Sequence, residues 1–485
     1  MTTTSWAHGV SGDFDTPTTN WTNNVPMAGD TALIEAHGTY TVTSSQLNTL
    51  ADLEMAKTAT LDIADHHMVI ASGTGSGALA GTIDIENETA LVIGADGAST
   101  TFDNTGTINL KSATGSAADN AKLQIGGTVA LTGNGKIVMS GNEAEISASS
   151  TNTATAELTS SNTISGDGVI GDVTDSLLGF TNAAKGIIDG NTLGGLLVDT
   201  DGNAVSNSGL MEATGASGYL ILAGEFFQSA TGQVKAATSG ATVLLENADI
   251  SGGSFTIVKG ATLLAGAATG LSIIGPGKTV KNAGTIEANF GDLVIGGSVS
   301  GAGTLVASAN NSLQVDDKVS GGKAEIQDAG EIIFYGQSSA AVTFASGSTG
   351  TLDLQIGSKF TGTVAGMSGN PGAAIDLENL SSADAITVNL NAHTHVLSVT
   401  DTATHVTDTI KIVGTGTFVA KPALDGTVLI TDPPPGAANT PSANTQLLVQ
   451  SMASLGASSA VAPPGTSTVA DHHRSSDFLA APHRG

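Results

Sequence analysis

The chain has 485 residues, of which 63 are glycine, 4% aromatic and 12% charged, with no cysteine and a net charge of −28. So few charges cannot furnish the polar faces of many amphipathic helices, and so acidic a surface excludes general attachment to nucleic-acid phosphates. Lack of cysteine removes disulfides and thiol chemistry without deciding the compartment.

Residues 1–75 read as an irregular N-terminal cap with the first strands. They begin Met1-Thr2-Thr3-Thr4-Ser5-Trp6, with neither a positive n-region nor an apolar h-region, so no Sec-type signal peptide is expected. No apolar run reaches the roughly twenty residues of a transmembrane helix. Trp6, Trp21 and Tyr40 are the clustered aromatics. They offer either a sugar-stacking platform or a lid that protects the first strand edge.

Residues 76–357 carry a repeat. The phrase Asn-x-Gly-x-aliphatic recurs as Asn104-Thr105-Gly106-Thr107-Ile108, Asn207-Ser208-Gly209-Leu210-Met211 and Asn282-Ala283-Gly284-Thr285-Ile286. Gly186, Gly209 and Gly232 are twenty-three residues apart, Gly284 and Gly303 nineteen, and Gly303 and Gly330 twenty-seven. A second phrase, Leu-x-aliphatic followed by Val or Phe four residues on, recurs at Leu123/Ile125/Val129, Leu220/Leu222/Phe226, Leu293/Ile295/Val299, Leu313/Val315/Val319 and Leu354/Ile356/Phe360. Each repeat therefore holds at least two short strands, alternating in and out with period two.

A fixed phrase at this spacing means one unit stacked on itself. Leucine-rich repeats share the period but need a helical segment and a denser leucine frame. Proline is absent between Pro26 and Pro276, as a continuous hydrogen-bonded stack requires. The expected fold is all-β: a right-handed parallel β-helix, or β-solenoid, on the order of 70 Å long at about 4.8 Å per turn. An array of β-sandwiches is the structural alternative. In the solenoid, Asp189, Glu212 and Lys235 occupy one outward column, while Met211 and Val234 stack inward.

Asp84 and Glu86 alternate with Ile83 and Ile85, which places two carboxylates on one outer face about 6.6 Å apart along the strand. A glycosidase needs a comparable pair; the competing reading is a solvated strand face. The only arginines, Arg474 and Arg484, lie in the tail. The rod therefore has no guanidinium to clamp a carboxylate or to serve as base in uronate lysis.

Residues 358–432 read as a terminal β module. In it His393 and His395 fall at i and i+2 on an expected strand, sharing a face, with His405 as a third metal ligand; exposed imidazoles are the competing reading. No cofactor signature is present, and a structural divalent cation is the one cofactor left open. Residues 433–485 open with Pro433-Pro434-Pro435-Gly436 and read as a linker, a short helix through Leu448, Met452 and Leu455, and a flexible Pro/Ala/Ser-rich tail.

The phrases Asn282-Ala283-Gly284-Thr285-Ile286-Glu287-Ala288 and Ile164-Ser165-Gly166-Asp167-Gly168-Val169-Ile170-Gly171 resemble repeats of large bacterial secreted or surface β-helix proteins of autotransporter-passenger and adhesin type. The opening Gly12-Asp13-Phe14, Asn20-Trp21, Pro26 and Gly29-Asp30, and the closing stretches from Phe360 to Gly366 and from Leu429 to Pro433, are similar to their flanking modules. The resemblance implies an extracellular or cell-surface location. It also implies export by a type I machinery that reads residues 436–485, although no Gly-Gly-x-Gly-x-Asp nonapeptide occurs and no barrel-forming C-terminal region is visible.

Three functions follow as expectations. The first is a non-catalytic structural or adhesive surface rod. The others are a polysaccharide-binding or polysaccharide-degrading β-helix, and a self-associating filament or spacer subunit.

Overall fold

The computed structural model describes residues 2–16, 20–113, 120–171, 177–277 and 279–432. The tail 433–485, with its expected helix and export segment, lies outside the described residues. Within them the protein is all-β, without a helix, and coils into a parallel β-solenoid of about 14 turns.

Three parallel ladders run along the solenoid, so each full turn carries three strand faces, one more than the minimum expected. Ladder I includes Ala156–Ser160, Leu178–Asn182 and Val205–Asn207. Ladder II includes Thr163–Gly166, Ile187–Gly190 and Leu210–Ala213. Ladder III includes Gly168–Ile170, Leu196–Val198 and residues 220–222 of Tyr219–Ala236. Strands such as Tyr219–Ala236 and Thr242–Ile257 bend round the corners and serve all three ladders in turn. Chain direction is the same in every turn, so each strand finds its hydrogen-bond partners one turn before and one turn after.

Alternation decides what fills the interior. Leu293 and Ile295 are fully buried while Val294 between them is half-buried on the outside, the period-two pattern of a pleated strand. In-register stacking makes columns: Ile188, Met211 and Val234 align inward, and Asp189, Glu212 and Lys235 align outward. The outer rows are not uniformly polar. Val169, Leu197, Ile221, Leu244 and Leu264 follow one another along the outside of ladder III. Each covers its neighbour, and Ile221 and Leu244 are only 7% exposed.

The repeating asparagines lie buried at the corners. Asn207 Oδ1 accepts the Gly209 N–H at 3.1 Å, and its Nδ2 donates to Gln228 Oε1 at 3.0 Å and to the Gln233 carbonyl at 3.3 Å in the following turn. Asn182 Nδ2 in turn donates to Asn207 Oδ1 at 2.8 Å. Asn282 makes the equivalent contacts, to the Gly284 N–H at 3.1 Å and the Thr304 carbonyl at 3.1 Å. The amide satisfies backbone groups that a tight corner takes out of the ladders.

Two readings of the repeat change. Asn104 and Asn207 turn the chain from ladder I to ladder II, whereas Asn282 ends a ladder II strand and leads into ladder III. The same phrase builds two different corners. The twenty-seven-residue interval from Gly303 to Gly330 is not a turn either, because Gly303 precedes a ladder III strand and Gly330 a ladder I strand. Thr285, Thr304 and Lys323 pair in sequence, which makes the turns here nineteen residues long. In the last copy of the second phrase Ile356 leaves the pattern, sitting 74% exposed beyond Thr351–Leu354.

Both ends are closed differently from the middle. Parallel pairing begins with Thr3–Ser5 against Thr31–Ile34, within the segment read as a cap with the first strands. At the other end Ile386–Asn391, Val396–Asp401 and Thr407–Val413 form an antiparallel meander. Val428–Thr431 lies antiparallel on Ala374–Leu377, with Val419–Pro422 beyond it.

Two measurements test the columns. Asn207→Ala removes a fully buried amide and strands its backbone partners, so a loss of about 1–3 kcal/mol is expected in denaturant unfolding. Burial raises the titration of both Asp189 and Glu212; for Glu212 the Asp189 charge adds to this and Lys235, 3.9 Å away, opposes it. Raised folded-state values mean that protonation favours the fold, so their contribution is greatest at low pH and declines as pH rises through the folded values. Lys235→Met should therefore destabilise by at most about 1 kcal/mol at pH 7. The difference should vanish in thermal melts near pH 3, where both acids are protonated.

Candidate functional site

Asp84 and Glu86 share the outer face of ladder II, as their spacing requires. Asp84 stacks on Asp62 below and Asn109 above, and Asn109 Nδ2 donates to Asp84 Oδ1 at 2.7 Å. Lys111 Nζ lies 2.9 Å from Asp84 Oδ2 and 2.7 Å from Glu86 Oε1, clamping the two carboxylates together. Burial pulls the Lys111 ammonium down, but its bonds to Glu86 and Asp84 outweigh this and hold it above its ordinary value. Asp62, without a cation of its own, is pushed up by burial and by the Glu86 charge. Asp84 and Glu86, the two acids of the expected pair, are thus already ion-paired with one lysine.

Trp6 and Trp21 are each 3% exposed, and Tyr40 is equally buried. The indoles meet edge to face at 5.1 Å and 88°, and Trp21 meets Phe14 at 5.0 Å and 73°. Trp6 Nε1 donates to the Val10 carbonyl at 3.1 Å and Trp21 Nε1 to the Phe14 carbonyl at 2.8 Å. The rings thus form a plug inside the first turns, and no ring face is open for a sugar to stack on. Trp21→Ala should cost roughly 3–5 kcal/mol, read as lost hydrogen-exchange protection of residues 3–34. An intact N-terminal end in this variant would contradict the plug.

His393 and His395 lie in the turn between Ile386–Asn391 and Val396–Asp401, not on a strand. The turn is tight enough to put His395 at φ 55°, and Asn391 Oδ1 accepts the His393 N–H at 2.9 Å. His405 sits in the next turn, at the far end of Val396–Asp401. Six strand residues span about 20 Å, so His405 cannot share an ion with the other two. The expected strand gave way because a two-histidine, asparagine-led segment closes a hairpin better than it extends one.

A different cluster assembles at the C-terminal end. Asp376 on Ala374–Leu377 and Glu378 just beyond it project to the outside of ladder I. Asp425 joins them from the turn between Val419–Pro422 and Val428–Thr431. One carboxylate oxygen from each lies within 4.8 Å of the others. Thr427 Oγ1 is 2.7 Å from both Asp376 Oδ1 and Asp425 Oδ1. One turn below, Asp353 pairs in register with Asp376 and is only 8% exposed. Burial first, and then the neighbouring Asp376, Glu331 and Asp425 charges, push it up to about 6 against the bond from Gln355. Burial likewise raises Asp376 and Glu378.

The i, i+2 pair Asp376 and Glu378 carries the same sequence signal as Asp84 and Glu86. Asp425 does not, because it arrives through a hairpin forty-nine residues later in the chain. A hollow of about 310 Å³ lies near His67, Glu88, Asn120, Lys122 and Gln124. Lys122 there is paired with Glu145 at 2.8 Å.

The fold defines the chain as a capped parallel β-solenoid. No known family model, curated protein or solved structure matches it. No helix among the described residues is long and apolar enough to cross a membrane.

Proposed function

We propose that the protein is an extracellular structural or adhesive rod that works through its long lateral faces. The observation that carries this reading is the closure of both ends of the ladders. An aromatic plug fills the first turns, and an antiparallel meander covers the last. Closed ends blunt end-to-end strand addition, which favours a finite rod over a filament subunit. What remains for recognition is the lateral surface, with its columns of hydroxyls, acids and short aliphatic side chains. Broad, repetitive contact with a cell-surface or extracellular polysaccharide fits such faces better than a single deep cleft does. Export through a C-terminal signal in residues 436–485 belongs to the same proposal.

The test combines location and binding. The full chain is expected in the medium or on the surface of the producing cell. Deletion of residues 436–485 is expected to retain it inside, while undiminished secretion would refute the export route. Purified rod is expected to adhere to a panel of immobilised plant and bacterial polysaccharides without releasing reducing ends or unsaturated products. Polysaccharide cleavage that disappears in Asp84→Asn would overturn the structural reading in favour of an enzyme.

A further inference from the structure

We infer that the strand Ile386–Asn391 is a docking edge for a second copy of this chain, pairing antiparallel with its own counterpart so that two rods join at their C-terminal ends. The antiparallel meander covers the last parallel turn, but it brings an edge of its own. Ile386–Asn391 pairs on one side only, with Val396–Asp401. The Ala385 carbonyl accepts the Thr402 N–H at 3.0 Å. Bonded and non-bonded positions alternate along an antiparallel pair, so Thr387, Asn389 and Asn391 turn their peptide groups to the neighbouring strand. Those of Ile386, Val388 and Leu390 point the other way, to the open edge.

The other terminal edges among the described residues are guarded. At the N-terminal end the Thr22 N–H donates to the Ser5 carbonyl at 2.9 Å and the Asn23 amide to the Thr3 carbonyl at 3.1 Å, which occupies the outer side of Thr3–Ser5. Lys359–Phe360, the last ladder II strand, is two residues long. Val419–Pro422 carries Lys421 and closes in proline. Shortness, lysine and proline each protect an edge from further pairing. Ile386–Asn391 has none of these: it reads Ile-Thr-Val-Asn-Leu-Asn, without charge, glycine or proline.

This strand is complementary to itself. Ile386, Val388 and Leu390 are half-buried against the core, while Thr387, Asn389 and Asn391 are exposed. Directly opposite residues of an antiparallel pair share a face. Setting Val388 against Val388 of the second copy puts Ile386 against Leu390 and Thr387 against Asn389, apolar on apolar and polar on polar. It also matches every open residue of one copy with an open residue of the other, two backbone bonds for each pair. A shift of two residues either way leaves one of them unmatched.

Charge favours the same partner. At −28, two copies repel along their acidic faces, and this strand is a place where neither brings charge. The register that centres on Val388 also sets the His393 turn of one copy beside Asp384 of the other. The Asp401 charge pushes Asp384 up, so an imidazole is a better neighbour for it than another acid. Two-fold pairing uses each edge once, so assembly stops at two chains, in keeping with a finite rod.

The interface is small, so a concentration-dependent dimer is expected rather than a permanent one. Sedimentation of the full chain from about 1 to 200 µM should show one chain passing to two, with nothing larger. Val388→Cys gives the chain its one cysteine; in the pair the two Cα atoms stand about 5.5 Å apart, a span that a disulfide bridges. Mild oxidation should therefore link this variant into dimers, while Thr107→Cys on the lateral face of ladder II stays single. The double variants Thr387→Lys/Asn389→Lys and Thr387→Glu/Asn389→Glu alter exposed positions only. Each sets like charges opposite one another and should weaken self-association by about tenfold. An equal mixture of the two should recover a dimer with one chain of each. The proposal is overturned if the native chain stays single throughout, if it grows beyond two chains, or if Val388→Cys links no faster than Thr107→Cys. It is equally overturned if the charged variants pair as the native chain does, or if mixing them restores nothing.

Discussion

Every strand of the three parallel ladders depends on a strand in another turn. In a parallel solenoid the backbone N–H and C=O groups find partners only one turn away, so no single repeat is stable by itself and each turn is folded by its neighbours. Much else follows from that dependence. In-register pairing forces like positions into columns, inward columns must be apolar, corners must satisfy the peptide groups that leave the ladders, and the two terminal turns need lids. The aromatic plug and the antiparallel meander are the two solutions at the two ends.

The column rule also explains how so few charges shape the surface. Stacking puts successive side chains about 4.8 Å apart, close enough for one residue to govern the titration of the next. Where a lysine enters the column, as Lys111 beside Asp84 and Glu86, the acids are held together. Where none does, as at Asp353 and Asp376, burial and like charge push the carboxyls upward. The chemical character of each stretch of the rod is thus set by where its few lysines fall.

What could be read from the sequence follows the same logic. Period-two alternation and the twenty-three-residue interval were enough to place Met211 over Ile188 and Glu212 between Asp189 and Lys235, because register in a regular stretch is local information. The third face per turn was harder to see. In strands such as Thr242–Ile257 only one of the two corners carries a glycine break, Gly252-Gly253, while the other turns at Asn247 without glycine or proline. The histidines of the terminal module misled for a related reason: alternating Thr and His residues look like strand, but only pairing partners decide whether they extend or turn. The acidic cluster at the cap was half visible, as Asp376 and Glu378. Its third member depends on an antiparallel return that no repeat period encodes.

The asparagine phrase closes two kinds of corner, and this bears on how such a chain can grow or shrink. Recombination between look-alike phrases is the simplest way for a repeat gene to change length. Crossing over between Asn104 and Asn207 joins like corners, so the strand before the junction still leads into ladder II and the rod loses whole turns. Crossing over between Asn207 and Asn282 joins unlike corners, sending a ladder I strand straight into ladder III. The resulting turn would lack one wall, exposing the inward side chains of the turns above and below it. Sequence likeness in this protein therefore overstates the number of interchangeable parts, and its viable length variants are restricted to joints that preserve the order of the three faces.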